Sequence, residues 1–139
     1  MRSDKKMKKA DVMTEPKDIL KKWMDSINTA DTEGVLHLYN ENAILIPTFS
    51  NRMLNNHAKI RDYFERLRAY NELSVALHEK TLSIQRLDGD NFALCGIYCW
   101  RFIVEEELLS FEARFSFFAD MSLEHPVLHH HSSQIPRVI

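Results

Sequence analysis

FALCGIYCWRFIV (residues 92–104), EEE (105–107) and LLSFEARFSFFA (108–119) decide the fold of this chain. The two long runs are rich in aromatic and β-branched residues, the composition of strands. The three adjacent carboxylates between them stay hydrated most readily in a turn, so Glu105–Glu107 reads as the tip of a hairpin. With that turn the paired positions sum to roughly 212, placing Tyr98 opposite Arg114 and Trp100 opposite Glu112. These four share a face with Ser116 and Phe118. The other face carries Ala113, Phe115 and Phe117 with Cys95, Ile97 and Cys99, and is apolar and small.

Working outward, Ser74 to Leu87 alternates through Val75, Leu77, Leu82 and Ile84, and Asp88-Gly89-Asp90-Asn91 is a hairpin-turn signal. After a polar loop ending at Pro126, VLHHHSSQ (127–134) reads as a last strand. The first half has a different period. Thr14 reads as an N-cap with Pro16 in the first turn, and Ile19, Leu20, Trp23, Met24 and Ile27 form one apolar helical stripe. Asn28-Thr29-Ala30 breaks it, and Asp31 caps a second, short helix carrying Val35, Leu36, Leu38 and Tyr39. Ala43–Ile46 reads as a short buried strand stopped by Pro47. A third helix carries Ile60, Tyr63, Phe64 and Leu67. Helices first and hairpin-linked strands afterwards predict an α+β domain with helices packed on one face of an antiparallel sheet.

The 139 residues suit a single domain at 14–139 behind a polar, frayed segment at 1–13. Hydrophobic residues make up 45% and charged ones 27%, which excludes collagen-like, coiled-coil and wholly disordered classes. A chain of this length needs no disulfide or metal staple. With 18 basic and 20 acidic residues the formal charge is −2, leaving no field to draw nucleic acid or an anionic membrane. No apolar run is long enough for a transmembrane helix. No apolar stretch follows the basic N-terminus, so the expected location is cytoplasmic. Cys95 and Cys99, four apart on one strand, would sit about 13 Å from each other and cannot bridge.

Chemistry concentrates in the second half. Arg114 is a lone cation in an aromatic strand and needs a partner or a water-filled cavity. Two readings stand: a surface pair with Glu112 or Glu79, and an arginine anchoring an anion inside a pocket. On the last strand His129 and His131 project to one face and His130 to the other. His129 and His131 could chelate a metal only with Glu112 added, and no metal site or cofactor is assigned. They could serve as general bases or as structural hydrogen-bonding groups lining a polar pocket. Lys59, Arg61, Arg66 and Arg68 read as a solvated helix face. Trp23 reads as core, at the mouth of the cavity. Nucleotide, serine-hydrolase and zinc-protease motifs do not occur.

LYNENAILIPTFSNRM (38–53), IRDYFERL (60–67), ALCGIYCWRF (93–102), FEARFSFF (111–118) and HHHSSQIP (129–136) together resemble the association (hub) domain of calcium/calmodulin-dependent protein kinase II. The resemblance is nearer still to that domain's small stand-alone bacterial relatives, within the nuclear-transport-factor-2-like (NTF2-like), SnoaL-like superfamily. It spans about residues 15–137. It implies a cystatin-like cone, a curved antiparallel sheet wrapped around helices. It also implies a pocket holding an arginine at Arg114, an aromatic at Tyr98 and histidines at His129 and His131. One segment departs from the family: Ser122-Leu123-Glu124-His125-Pro126 replaces a Gly-Lys-Trp-like turn before the last strand. The sequence holds no kinase domain or calmodulin-binding segment, so kinase regulation does not carry over.

The resulting expectation is a homodimeric domain that holds a small organic acid or carbonyl compound, bound by Arg114, Tyr98, Trp100, His129, His131 and Trp23. An alternative is an isomerase, hydrolase or cyclase using His129 or His131 with Glu112 or Tyr98. A second is an oligomerisation hub whose outer sheet face, with its aromatics and Ile103, forms the interface.

Overall fold

A computed structural model of the chain describes residues 13–136 and residue 138. The expectation of a frayed start thus falls outside the described residues, except for Met13, which is half-buried against the core. Three helices, α1 (Pro16–Asn28), α2 (Thr32–Leu38) and α3 (His57–Leu67), precede most of the sheet. The strands are β1 (Tyr39–Ile46), β2 (Asn71–Leu77), β3 (Ser83–Arg86), β4 (Asn91–Val104), β5 (Glu107–Asp120) and β6 (Val127–Gln134).

Local chemistry explains the helix ends. The N-cap of α1 is Glu15 rather than Thr14, in a reciprocal capping box with Asp18. Asp31 caps α2 as expected, accepting from the Gly34 N–H at 2.9 Å. Asn56 does the same for α3 through Lys59 N–H. The predicted stripe holds: Ile19, Leu20, Trp23 and Ile27 are buried, as are Ile60, Phe64 and Leu67.

The sheet runs β1-β6-β5-β4-β2, with β3 also on β4. It is antiparallel except for β1 and β6, which pair in parallel. The segment expected as one alternating strand is two. β2 and β3 lie along successive stretches of β4, separated by a single 3-10 turn at Glu79–Thr81. Strand β2 is an edge, and the side-chain amide of Asn28 covers it, donating to the Val75 carbonyl at 3.0 Å and accepting from its N–H at 2.8 Å. An amide that satisfies an exposed ladder position removes a template for pairing with another chain.

The main correction concerns register. Only Glu105 and Glu106 form the hairpin turn, both at positive φ (51° and 69°), while Glu107 opens β5 opposite Val104. A two-residue turn with both φ positive matches the twist of the flanking strands. Tyr98 therefore lies opposite Ala113 and Trp100 opposite Phe111, while Arg114 faces Ile97 and Glu112 faces Cys99. A slip of one residue turns every side chain of a strand over. The helix-facing side of the sheet thus carries Leu94, Tyr98, Trp100, Ala113, Phe115 and Phe117, all buried, and the outer side carries Glu112, Arg114 and Phe118, all exposed. The face judged apolar and small on β5 is the core.

Candidate functional site

Trp23 sits at the centre of the cone, contributed by the buried face of α1. It is 1% exposed, stacks on Tyr98 with ring centroids 5.1 Å apart, and meets Trp100, Phe117 and His130 edge-on. On β6 the alternation is as expected but the pocket side is inverted. His130 is the inward histidine, 1% exposed and stacked on Phe117 at 3.8 Å. His129 and His131 pair with Phe118 and Ser116 on the outer side.

A directed hydrogen-bond chain runs through this core. The Trp23 indole N–H donates to the Tyr39 hydroxyl at 3.1 Å. The Tyr39 hydroxyl lies 2.7 Å from His130 Nδ1, and His130 Nε2 lies 3.1 Å from the Tyr98 hydroxyl. Trp can only donate. The Tyr39 proton then finds its acceptor in His130 Nδ1, which leaves the proton of the ring on Nε2, donating to Tyr98. The tautomer is thus assigned by the network. Burial, followed by the neighbouring His129 and His131, pushes His130 well below its usual 6.5 and keeps it neutral. Burial raises Tyr39 and Tyr98 far above the ordinary phenol value, so both remain hydroxyl donors.

Beyond Tyr98, the hydroxyls of Thr48 and Ser132 contact each other across a cavity of about 10 Å³ lined also by Trp23, Tyr63, Trp100 and His130. That is room for about one water. Among the described residues, one buried side-chain polar atom has no partner: the indole N–H of Trp100. Tyr63 lines this cavity and also the wall of a cleft of about 970 Å³ between α3 and the loop after β1. Arg52, Lys59 and Arg66 line the cleft, against one carboxylate, Asp62, which Arg66 holds at 3.0 Å. Phe49, also on its wall, packs edge-on against Trp100 at 5.7 Å.

The structure therefore brings Trp23, Tyr98 and Trp100 together, and separates them from Arg114, His129, His131 and Glu112. Neither expected surface pair of Arg114 forms: Glu112 lies 3.2 Å from His78, and Glu79 lies 3.1 Å from Lys17. Sequence reading missed Tyr39, Thr48, Tyr63, His130 and Ser132 as cavity groups. The signal was available in part, because His130 and Ser132 alternate with His129 and His131, and only the choice of inward side was reversed. Cys95 and Cys99 are free thiols.

Three helices against a six-stranded sheet of this order make the cystatin-like fold that solved NTF2-like and SnoaL-like proteins share. The family model for the calcium/calmodulin dependent protein kinase II association domain matches residues 10–136, and the chain belongs to that family. Among solved structures, it is similar to a Xanthomonas campestris protein assigned to the same association domain, with 22% identity, TM-score 0.76, and 95% of this chain and 99% of that one covered. An NTF2-like protein with a cystatin-like fold from Novosphingobium aromaticivorans is 10% identical, at TM-score 0.70 and coverage of 87% and 80%. A Shewanella putrefaciens protein assigned as a SnoaL-like polyketide cyclase is 17% identical, at TM-score 0.60 and coverage of 88% and 90%. No curated protein sequence matches the chain. No helix among the described residues is long and apolar enough to cross a membrane.

Proposed function

We propose that this chain is a small-molecule-binding domain whose ligand, a small carbonyl or carboxylate compound, places an oxygen against Trp100 at the end of the α3 cleft. The observation that carries this reading is the unpartnered indole N–H of Trp100. The rest of the polar core is satisfied internally, and a buried donor left alone costs about 1–3 kcal/mol. A donor-only group asks for an acceptor, and the Tyr98 hydroxyl and the Thr48–Ser132 pair line the same small space. The three cations of the cleft favour an anion over a neutral compound. Entry requires Tyr63 or Phe49 to swing aside, because the present space admits little more than a water.

Turnover has less support. The pairing of His129 or His131 with Glu112 lies on the outer face, and Glu112 is engaged by His78. His130 has both ring nitrogens occupied and is held neutral.

The test is a thermal-shift screen of short carboxylates and ketones on wild type, Trp100→Phe and Arg114→Ala. Trp100→Phe keeps an aromatic ring and removes the N–H. A ligand that stabilises wild type and Arg114→Ala but not Trp100→Phe supports the cone. Loss in Arg114→Ala alone moves binding to the outer face, and no stabilisation of wild type refutes the reading.

A second reading rests on the outer sheet face. Phe118 (47% exposed), Leu128 and Leu108 stand there in the open, beside half-buried Ile44, Ile46 and Ile97. We infer that this face forms a homodimer interface, in keeping with membership of an association-domain family. Sedimentation velocity should show a dimer that Phe118→Asp dissociates, and a monomeric wild type removes the reading.

A further inference from the structure

His37 is in the last turn of α2, and Glu124 and His125 are in the loop between β5 and β6. The two imidazole rings meet edge to face with centroids 4.5 Å apart, and His37 Nε2 is 3.9 Å from a Glu124 carboxylate oxygen. One donor atom from each of the three residues lies within 4.8 Å of the other two.

We propose that His37, Glu124 and His125 form a binding site for a divalent transition-metal ion, zinc foremost, that ties the end of α2 to the β5–β6 loop. This is independent of the cone and of the ligand reading above.

Three observations carry it. The first is the donor set. Two imidazoles and one carboxylate are the borderline nitrogen and oxygen ligands that zinc takes at three positions, leaving a fourth for water. The second is the tautomer of His125. Its Nδ1 lies 2.6 Å from the His37 backbone carbonyl, which can only accept, so Nδ1 carries the proton. The Nε2 lone pair is then free. A ligating histidine whose other nitrogen donates to a backbone carbonyl is the arrangement found around bound metals. The third is the rigidity of the loop. Asp120 accepts from Ser122 N–H and hydroxyl at 3.0 and 2.7 Å, and Asp120 N–H bonds the Pro126 carbonyl at 2.9 Å. The Asn40 side chain holds the His125 carbonyl at 3.3 Å.

Tetrahedral zinc ligands lie about 3.3 Å from one another, given bonds of 2.0–2.2 Å. That spacing is closed from the present one by rotation of the His37 and Glu124 side chains, which are 46% and 69% exposed.

The test is titration of the untagged full chain with Zn²⁺ by calorimetry, with Mg²⁺ as the control ion. One zinc should bind and Mg²⁺ should not. His37→Ala and His125→Ala should each weaken zinc at least tenfold, and Glu124→Gln by about tenfold. His129→Ala/His131→Ala should leave it unchanged, which separates this site from the outer-face histidines. Unaltered circular dichroism of the metal-free variants excludes loss of fold as the cause. Co²⁺ bound to wild type should give the visible absorption of a four-coordinate ion, lost in His37→Ala. Zinc affinity unchanged in a His37→Ala/His125→Ala variant, loss confined to the His129/His131 variant, or no zinc binding by wild type would each overturn the proposal.

Discussion

Neutral His130 makes the stability of this fold depend on pH in a specific direction. In the unfolded chain the imidazole titrates near 6.5, whereas in the core its charged form is strongly disfavoured by burial. Below pH 6.5 the unfolded state therefore binds a proton that the folded state does not, and stability falls as pH falls. The contribution of this group is complete above about pH 7.5. It is reduced by about 1.4 kcal/mol at pH 5.5, and by a similar amount for each further unit until the folded histidine itself titrates. The assay is urea unfolding from pH 8 to 5 on wild type and on His130→Gln, whose amide keeps a hydrogen-bonding group where Nε2 meets Tyr98. His130→Phe, which preserves the stack on Phe117, serves as a second variant. The quantity to compare is the pH slope, since substitution shifts absolute stability while carboxylates and exposed histidines contribute equally to all three proteins. The variants should lose the slope between pH 6.5 and 5.5 that wild type shows. Parallel curves would refute both the neutral assignment and the hydrogen-bond chain built on it.

Trp23→Ala should cost about 3–5 kcal/mol, the range for deleting a large buried aromatic, measured by the same unfolding; a loss under about 1 kcal/mol would place Trp23 outside the core. Replacing Glu105 and Glu106 by Asn and Gly should stabilise the hairpin by about 1 kcal/mol, because both sites hold a non-glycine residue at positive φ. A fall in the melting temperature would contradict the two-residue turn. Gly34→Ala should destabilise, against the usual gain of about 1 kcal/mol for that change within a helix. The added Cβ would come within 2.4 Å of the Asp31 carboxylate that caps α2. A higher melting temperature would show that Asp31 can move aside without losing its cap.

The helices and the hairpin at Asp88–Asn91 were legible because their signals are local. Ile19, Leu20, Trp23 and Ile27 repeat at helical spacing, and Asp31 precedes a short apolar run. The failure at Glu105–Glu107 has an equally local cause. Neither residue at positive φ is Gly, Asn or Asp, so nothing in the triplet marks which two of the three glutamates turn the chain. That single ambiguity inverted the assignment of Arg114 and Glu112, since strand parity carries an error along its whole length, whereas the inward placing of His129 and His131 came with the family resemblance. Strand β1 was read too short because Asn40, Glu41 and Asn42 give no strand pattern. Their pairing is irregular, with a shift between Tyr39 and Ile44. The parallel contact of β1 with β6 depends on residues far apart in sequence, which no local period reports. Trp23 and Tyr98 were recognised as neighbours of the cavity, whereas Tyr39 and His130 became visible only once that distant pairing was known.

The parallel seating of β1 on β6 also dictates an order of assembly. Tyr39 and His130 are 91 residues apart, and the aromatic faces of α1 and β1 have no inward cover from β6 until that strand arrives. Contacts of such separation are slow to form because loop closure precedes any reward from packing. Released from the ribosome stepwise, the first half of the chain would wait with Trp23 and Tyr39 uncovered, a state prone to stick to other copies. The final strand acts as the latch that ends this exposure. Shortening the chain before His130 would then leave a species whose hazard is coaggregation during synthesis.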